Sequence, residues 1–221
     1  ELFDEIIIAT GVVPRDINFE VTDKSKLASY IDILNGSVVA GKNVAILGAG
    51  GIGFDVAQFL MSDKISTTLH LDKWLKEWGV VDPELARGGI RPEGPEQLLT
   101  DRNISMFQRK NEKIGRRLGK TTGWIHRESL RKRNVKMVSG VNYEKITSKG
   151  LTLSYGDSRK DRETLLFDTI VICAGQEPDR ILLDKLSQKN ISSHVIGGAN
   201  VASELDAKRA IDQGTRLALS F

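Results

Sequence analysis

This 221-residue sequence contains a single cysteine, Cys173, and only three histidines. One thiol cannot form an internal disulfide, and it excludes an all-cysteine metal or iron–sulfur site within the chain. The histidines, His70, His126 and His194, lie far apart and lack the spacing of metal ligands, so we expect no metal site. The scarcity of cysteine fits a reducing compartment, and we expect a cytoplasmic location.

Long apolar runs and a strong charge of one sign are also missing. No stretch approaches the roughly 20 apolar residues that span a bilayer, and the acidic start, Glu1–Glu5, lacks the regions of a signal peptide. The net charge of +3 is small, and the basic run Arg127–Arg133 lacks the interleaved aromatic residues of single-strand binding proteins. We therefore expect neither a membrane nor a nucleic-acid partner. Because the sequence does not start with Met, we expect it to begin within a fold.

A glycine-rich motif organises the sequence. The apolar run Val44–Leu47 predicts a buried parallel strand, and the apolar face of Phe54–Met61 predicts a helix. Between them, Gly48 allows a sharp turn, Gly50 allows a pyrophosphate to approach the backbone, and Gly53 allows close packing of helix and strand. This strand–turn–helix context makes the motif a dinucleotide-binding candidate. Its candidate cofactor-binding residues are Gly48, Ala49, Gly50, Gly51, Ile52 and Gly53.

The second strand of this nucleotide unit has two candidates. Ser66–Asp72 would place Asp72 where an acidic residue binds the adenosine ribose. Asn103–Gln108 would instead end in Arg109 and Lys110 and make the residues from Ser66 to Arg102 an insertion. The composition of that segment favours the second candidate, because four apolar residues show helical spacing. They are Leu71, Trp74, Leu75 and Trp78.

Two similar stretches flank the nucleotide unit. Asp4–Gly11 and Asp168–Gly175 both read as buried strands that end in glycine. This duplication predicts one domain, residues 36–180, inserted into another that is represented by residues 1–35 and 181–221. Within these parts we expect a helix over Leu27–Leu34, and an antiparallel meander whose third strand is Leu165–Phe167.

The sequence resembles a known family. Ile7–Gly11 and Ile196–Asn200 are similar to the FAD-side signatures of the tandem FAD/NAD(P)H-binding fold of flavoprotein reductases. Nearly the whole chain resembles, more closely, the C-terminal portion of the bacterial NADPH-dependent 2,4-dienoyl-CoA reductase family. The matching stretches are Gly48–Asp55, Gly119–Arg127, Val171–Pro178, Glu204–Ile211 and Gln213–Leu219.

The resemblance implies an α/β fold: a Rossmann-like, doubly wound NADP-binding domain inserted between the pieces of an FAD-binding domain, with a small antiparallel meander. It implies that Ile104–Lys110 holds the second nucleotide strand. It also implies hydride transfer from NADPH to FAD, and then electron transfer through a 4Fe-4S cluster to FMN in an N-terminal barrel that reduces 2,4-dienoyl-CoA in unsaturated fatty acid metabolism.

This chain lacks the barrel, the cluster cysteines and the first glycine-rich FAD turn. We therefore expect an oxidoreductase acting on CH–CH groups as the full-length protein, and a part that alone does not reduce dienoyl-CoA. Direct hydride transfer needs no protein acid or base, so we expect no catalytic residue here.

Further cofactor-binding candidates follow from charge and from the resemblance. Two cations at a strand end favour a 2′-phosphate, which predicts that Arg109 and Lys110 select NADPH over NADH, with Arg117 and Lys120 adding charge. Gly175 is another candidate in the NADP(H) domain. The implied FAD contacts are Thr10, Gly11, Gly198, Asn200 and Ala207. Asn200 stands where the family usually has aspartate, which weakens this expectation, and we expect no bound flavin in a chain with half an FAD domain.

Two other functions stay open at this point. One is the corresponding portion of a different barrel-linked flavoenzyme, such as an enoate reductase or an amine dehydrogenase relative. The other is a non-catalytic nucleotide-binding module.

Overall fold

The computed structural model describes residues 3–62, 66–98, 100–203 and 205–221. Glu1, Leu2, Leu99 and Glu204, which belong to stretches singled out above, lie outside the described residues. The helices are α1 (Tyr30–Leu34), α2 (Gly51–Met61), α3 (Leu71–Trp78), α4 (Gly123–Lys132), α5 (Ile181–Gln188) and α6 (Ala207–Ala218). None of these described helices has the length and apolar character needed to cross a bilayer.

The strands are short, and most lie in two sheets. They are β1 (Ile7–Ile8), β2 (Val12–Pro14), β3 (Glu20–Val21), β4 (Leu27–Ser29), β5 (Asn43–Leu47), β6 (Asn103–Gln108), β7 (Lys136–Ser139), β8 (Val141–Thr147), β9 (Gly150–Tyr155), β10 (Asp161–Leu165), β11 (Thr169–Ile172), β12 (Gln176–Pro178) and β13 (His194–Val195). The chain divides into two compact units. The larger is Asn18–Cys173, and the smaller joins Glu1–Ile17 to Ala174–Phe221.

The larger unit contains a five-stranded sheet in the order β4-β11-β5-β6-β7. All of its neighbours are parallel, and its apolar residues form one core with those of α2 and α4. A parallel sheet must be covered on its faces, which explains why β5 and β11 are almost continuously apolar and buried. This arrangement confirms the predicted α/β class with a Rossmann-like parallel sheet.

The pairing of β5 decides between the two candidates for the second nucleotide strand. β5 pairs directly with β6, with Leu47 opposite Phe107, so the strand after the glycine-rich motif is Asn103–Gln108. The alternative is wrong, because Asp72 lies in the first turn of α3. The intervening segment is a predominantly helical and irregular insertion, and its one bridge joins Val80 to Ile90 among the described residues.

Two local predictions need correction. Leu27–Leu34 is not one helix, because Leu27–Ser29 pairs with β11 as β4 and the helix starts only after the cap at Ser29. There the Ser29 hydroxyl accepts the Asp32 N–H at 3.2 Å, while the Asp32 carboxylate accepts the Ser29 N–H at 2.9 Å. The third meander strand is β10, not Leu165–Phe167, because the largely polar Asp161–Leu165 pairs with β9 and Phe167 turns its ring inward against Phe107.

The smaller unit contains two strand pairs. β1 pairs in parallel with β13, and β12 pairs antiparallel with β2. The boundaries of the two units differ from the expected boundaries at residues 35 and 180. β3 and β4 hydrogen-bond to strands of the larger unit, whereas β12 belongs to the smaller one. The assignment of NADP(H) and FAD to these parts remains a prediction.

A buried ion pair attaches the insertion to the rest of the larger unit. The Arg133 guanidinium lies 3.0 Å from the Glu77 carboxylate, and these side chains are 12% and 6% exposed. The neighbouring Lys132 ammonium donates to the Glu77 carbonyl and lies 4.4 Å from the centre of a Trp78 ring. Removing one member of a buried pair leaves an uncompensated charge, which costs about 3–5 kcal/mol.

We therefore predict that Glu77→Ala lowers the free energy of unfolding by about 3 kcal/mol or more in urea titrations. Arg131→Ala is the matched control, because it breaks the exposed Arg131–Glu128 pair, whose side chains are 76% and 34% exposed, and should cost less than about 1 kcal/mol. Equal effects of the two substitutions would contradict a structural role for the buried pair.

Candidate functional site

The predicted glycine-rich motif forms a tight strand–turn–helix. β5 is buried from Val44 to Leu47, and Gly48 leaves it with a φ of 115°, a backbone conformation that side chains disfavour. The Gly48 N–H donates to the Phe107 carbonyl of β6 at 2.9 Å. Gly50 is the N-cap of α2, and its carbonyl accepts the Phe54 N–H at 3.1 Å.

The glycines of the turn differ in what surrounds them. A Cβ at Gly53 would lie 2.0 Å from the Gly48 carbonyl oxygen, so a side chain there would force strand and helix apart. A Cβ at Gly50 or Gly51 would meet no heavy atom of the described residues within 4 Å beyond its immediate backbone surroundings. Ala49 and Ile52 pack against the core, and the open side of the turn is therefore bare backbone.

The N-terminus of α2 is suited to bind an anion. Its first N–H groups have no acceptor within the helix, Gly50 offers no side-chain cap, and the first turn holds no acidic residue. The helix dipole adds partial positive charge at the same place. These donors face the open side of the glycine turn, and a phosphate is the ligand that such an arrangement favours.

Arg109 and Lys110 lie at the same edge of the sheet. Both are exposed and follow β6, whose Phe107 pairs with Leu47 immediately before the glycine turn. The Gln108 side-chain amide donates to the Lys110 carbonyl at 2.9 Å and to the Glu112 carbonyl at 3.0 Å, which holds the turn after β6 in place. The structure thus brings the two predicted cations to the same sheet edge as the predicted phosphate turn.

The other two predicted cations differ in their surroundings. The Arg117 guanidinium lies 3.1 Å from the Glu112 carboxylate, so a carboxylate that the sequence analysis did not single out offsets part of its charge. Arg116 is 3.9 Å from the same group. Lys120 is exposed in the turn that precedes α4.

Tyr143 of β8 supports the candidate site, a role that the sequence did not indicate. Its hydroxyl donates to the Phe107 carbonyl at 2.8 Å, the same oxygen that accepts the Gly48 N–H. Burial raises the pKa of Tyr143, against the opposing effect of the Arg109 charge, so the hydroxyl remains a donor at neutral pH. The alternating strand pattern around Tyr143 gave no signal for this contact.

In the smaller unit, three of the residues implied as FAD contacts lie close together. The Thr10 hydroxyl donates to the Asp179 carbonyl at 2.6 Å, and the Asp179 N–H donates to the Gly11 carbonyl at 3.0 Å. Gly198 packs closely here, because a Cβ on it would lie 2.9 Å from a Val12 methyl carbon. Thr10 therefore uses its hydroxyl within the protein.

The remaining candidates also belong to the smaller unit. The Asn200 carbonyl accepts an Arg180 N–H at 2.7 Å, and Ala207 is the first residue of α6. Gly175, with a φ of 114°, has its carbonyl bound by the Arg15 N–H at 3.1 Å. Gly175 belongs to the smaller unit and Gly48–Gly53 to the larger one, whereas the sequence predicted one domain for both.

Comparisons with known proteins identify the family and the fold of this chain. A family model described as pyridine nucleotide-disulphide oxidoreductase matches residues 2–204. A metal reductase from Desulforamulus reducens is 24% identical over 197 residues, which cover 89% of this chain and 28% of that protein. Among solved structures, a 2-naphthoyl-CoA reductase aligns with a TM-score of 0.71 at 20% identity, over 99% of this chain and 27% of that one.

Histamine dehydrogenase from Rhizobium sp. 4-9 aligns with a TM-score of 0.68 at 14% identity, over 97% of this chain and 30% of the other. This chain therefore spans less than a third of the length of these similar proteins. The structural likenesses, at such low identity, show the shared fold alone. The family model covers nearly the whole sequence, and the chain belongs to the pyridine nucleotide-disulphide oxidoreductase family.

Proposed function

We propose that the larger unit binds NADP(H), with the pyrophosphate over Gly48–Gly53 and the 2′-phosphate beside Arg109 and Lys110. The observation that carries the proposal is the uncapped N-terminus of α2 beside two open glycines. The two cations after β6 stand at the same edge of the sheet, where the 2′-phosphate of an NADP(H) bound in this way needs a positive partner.

The residues of this site bind and orient the dinucleotide and do not move protons. Bound NADPH supplies a hydride to its acceptor. The backbone N–H groups at the start of α2 fix the diphosphate, and the cations fix the adenosine end, so that the nicotinamide end has a defined direction. Tyr143, through the Phe107 carbonyl, keeps the glycine turn and the end of β6 together.

We propose the smaller unit as part of an FAD-binding domain. The chain has one Gly-x-Gly-x-x-Gly turn, and the larger unit contains it, so these residues do not supply a complete FAD cradle. β1 and β13 form a parallel sheet of two described strands, whereas parallel sheets are normally larger and have both faces covered. No residue of α6 is buried, and Ile211 and Leu219 are exposed. These features support the proposal that protein outside this chain completes the FAD-binding domain.

For the longer protein, we propose an NADPH-dependent reductase of 2,4-dienoyl-CoA, in which the smaller unit would hold part of the FAD, and protein outside these residues would hold a 4Fe-4S cluster and FMN. The motif resemblance supports this substrate. A second candidate is another barrel-linked flavoenzyme, because 2-naphthoyl-CoA reductase and histamine dehydrogenase share the fold over nearly the whole chain. Assays of the longer protein with a dienoyl-CoA and with amine substrates would distinguish the two.

We predict that Gly50→Ser weakens NADPH binding about tenfold or more without destabilising the protein. Serine is a favourable N-cap, so its side chain should satisfy an N–H donor of α2 and occupy the open space above the turn. Calorimetric titration with NADPH gives the dissociation constant, and urea unfolding gives the stability.

Gly214→Ser is the matched control for this substitution, because Gly214 also has open space around it but lies in α6. It should leave the NADPH affinity unchanged. Unaltered binding by Gly50→Ser would contradict a pyrophosphate over the turn.

We further predict that the double substitution Arg109→Gln and Lys110→Gln raises the dissociation constant of NADPH about tenfold or more, because charge-assisted hydrogen bonds to the 2′-phosphate are lost. NADH, which lacks this phosphate, should bind with its original affinity. Lys149→Gln, in the exposed turn between β8 and β9, removes one positive charge elsewhere on the surface and is the control for a loss of surface charge. An equal loss of NADH affinity would show that the two cations contact a part of the dinucleotide other than the 2′-phosphate.

Cys173 is not suited to disulfide chemistry in spite of the family's name. It is buried, and burial raises its pKa to about 12, whereas thiol exchange requires an accessible thiolate. We predict that the folded protein reacts with a disulfide reagent at pH 8 at least about a hundredfold more slowly than the protein in guanidinium. Similar rates in the two states would show that the thiol is accessible.

A further inference from the structure

A cleft of about 530 Å³ lies within the smaller unit, and two arginines line it. They are Arg15, which follows β2, and Arg180, which is the N-cap of α5. The rest of the described lining is β12 together with Ala202 and Ser203. The volume is in the range of small-molecule sites, and none of the FAD contacts that the resemblance implies lines this cleft.

Arg180 is held in place without losing its charge. Its Nε–H donates to the Ala199 carbonyl at 3.3 Å, and its Nη2 donates to the Asn200 carbonyl at 2.7 Å. Carbonyl oxygens are neutral acceptors, so these contacts orient the guanidinium and do not cancel its charge. They use two of the five N–H donors that a guanidinium carries, which leaves donors for a ligand in the cleft.

Arg15 is positioned by the antiparallel pair of β2 and β12. Its N–H donates to the Gly175 carbonyl at 3.1 Å, and its side chain lies against Gly175, where a Cβ would be 3.4 Å from the guanidinium carbon. The Glu177 carboxylate is 3.4 Å from the Arg15 Nε, and these side chains are 51% and 55% exposed. An ion pair this exposed contributes little free energy, so an anion can compete with Glu177 for Arg15.

We propose that this cleft binds a phosphate group between Arg15 and Arg180. Guanidinium groups form strong charge-assisted hydrogen bonds with phosphate oxygens. Among the described lining residues the two arginines outnumber the one carboxylate, Glu177, and the Ser203 hydroxyl adds a further polar group. The phosphate is either a free ion or part of a nucleotide. The inference does not rest on the proposed NADP(H) site, because all these residues belong to the smaller unit.

The test follows the amide NMR signals of the ¹⁵N-labelled chain during titration with inorganic phosphate at constant ionic strength. Individual signals are needed because phosphate also suits the glycine turn of the larger unit. We expect the amides of residues 175–177, Ala202 and Ser203 to shift together and to give one dissociation constant. A second titration with nicotinamide mononucleotide distinguishes the sources: tighter binding than inorganic phosphate at these amides indicates a nucleotide phosphate, and equal or weaker binding indicates a free ion.

Substitutions around the cleft should change the affinity in opposite directions. Arg15→Gln and Arg180→Gln should each raise the dissociation constant of phosphate about tenfold, because charge-assisted contacts are lost. Glu177→Gln should lower it about threefold, because Arg15 loses its competing carboxylate, and a protein that fails to fold cannot show this gain. Arg216→Gln removes an exposed arginine of α6 that pairs with Asp212; it is the matched control and should leave the affinity unchanged.

Two results would overturn the phosphate site. One is a titration in which phosphate shifts amides only in the larger unit, since the cleft then has no affinity for it. The other is an unchanged dissociation constant in Glu177→Gln, since an anion held by Arg15 must compete with that carboxylate. Neither result affects the proposed NADP(H) site, which is tested separately by Gly50→Ser and by the substitutions at Arg109 and Lys110.

Discussion

One carbonyl oxygen connects the parts of the candidate site. The Phe107 carbonyl accepts the Gly48 N–H at 2.9 Å and the Tyr143 hydroxyl at 2.8 Å. It thereby ties the start of the glycine turn, the end of β6 and the meander strand β8 to a single atom. The distance between the glycine turn and the cations after β6 depends on this junction, because Arg109 follows Phe107 by two residues. The sheet edge can therefore hold the two proposed phosphate sites at a fixed separation.

The local sequence predicted the strand, turn and helix at the centre of the candidate site well, because the constraints there act over a few residues. A buried β-branched strand, a glycine turn and an apolar helix face leave little choice, and β5, Gly48–Gly53 and α2 follow the prediction. β6 was favoured over Ser66–Asp72 for a similar reason, since Leu71, Trp74, Leu75 and Trp78 have helical spacing. In each case the deciding information lay within one turn or one strand of the residue concerned.

Long-range pairing explains where the sequence was insufficient. Leu27–Ser29 becomes a strand because β11, more than 130 residues later, offers it a parallel edge, and no local pattern announces that partner. The exposed, polar β10 pairs with β9, although its composition does not favour a strand. The sequence indicates only a strand residue at Tyr143, because its role comes from the Phe107 carbonyl that the tertiary fold places beside it.

The composition of the candidate site fits the chemistry that we propose for it. A hydride transfer between two bound cofactors requires orientation and the exclusion of competing reactions, and it does not require a protein group that gains or loses a proton. The polar groups around the glycine turn accordingly are backbone donors, arginine and lysine, and the nearby Tyr143 hydroxyl and Cys173 thiol both have raised pKa values that keep them protonated. In the function that we propose, specificity resides in position: a helix terminus for the diphosphate and cations after β6 for the 2′-phosphate. Because both lie along one edge of one sheet, each proposed phosphate contact also limits the directions in which the rest of the dinucleotide can extend.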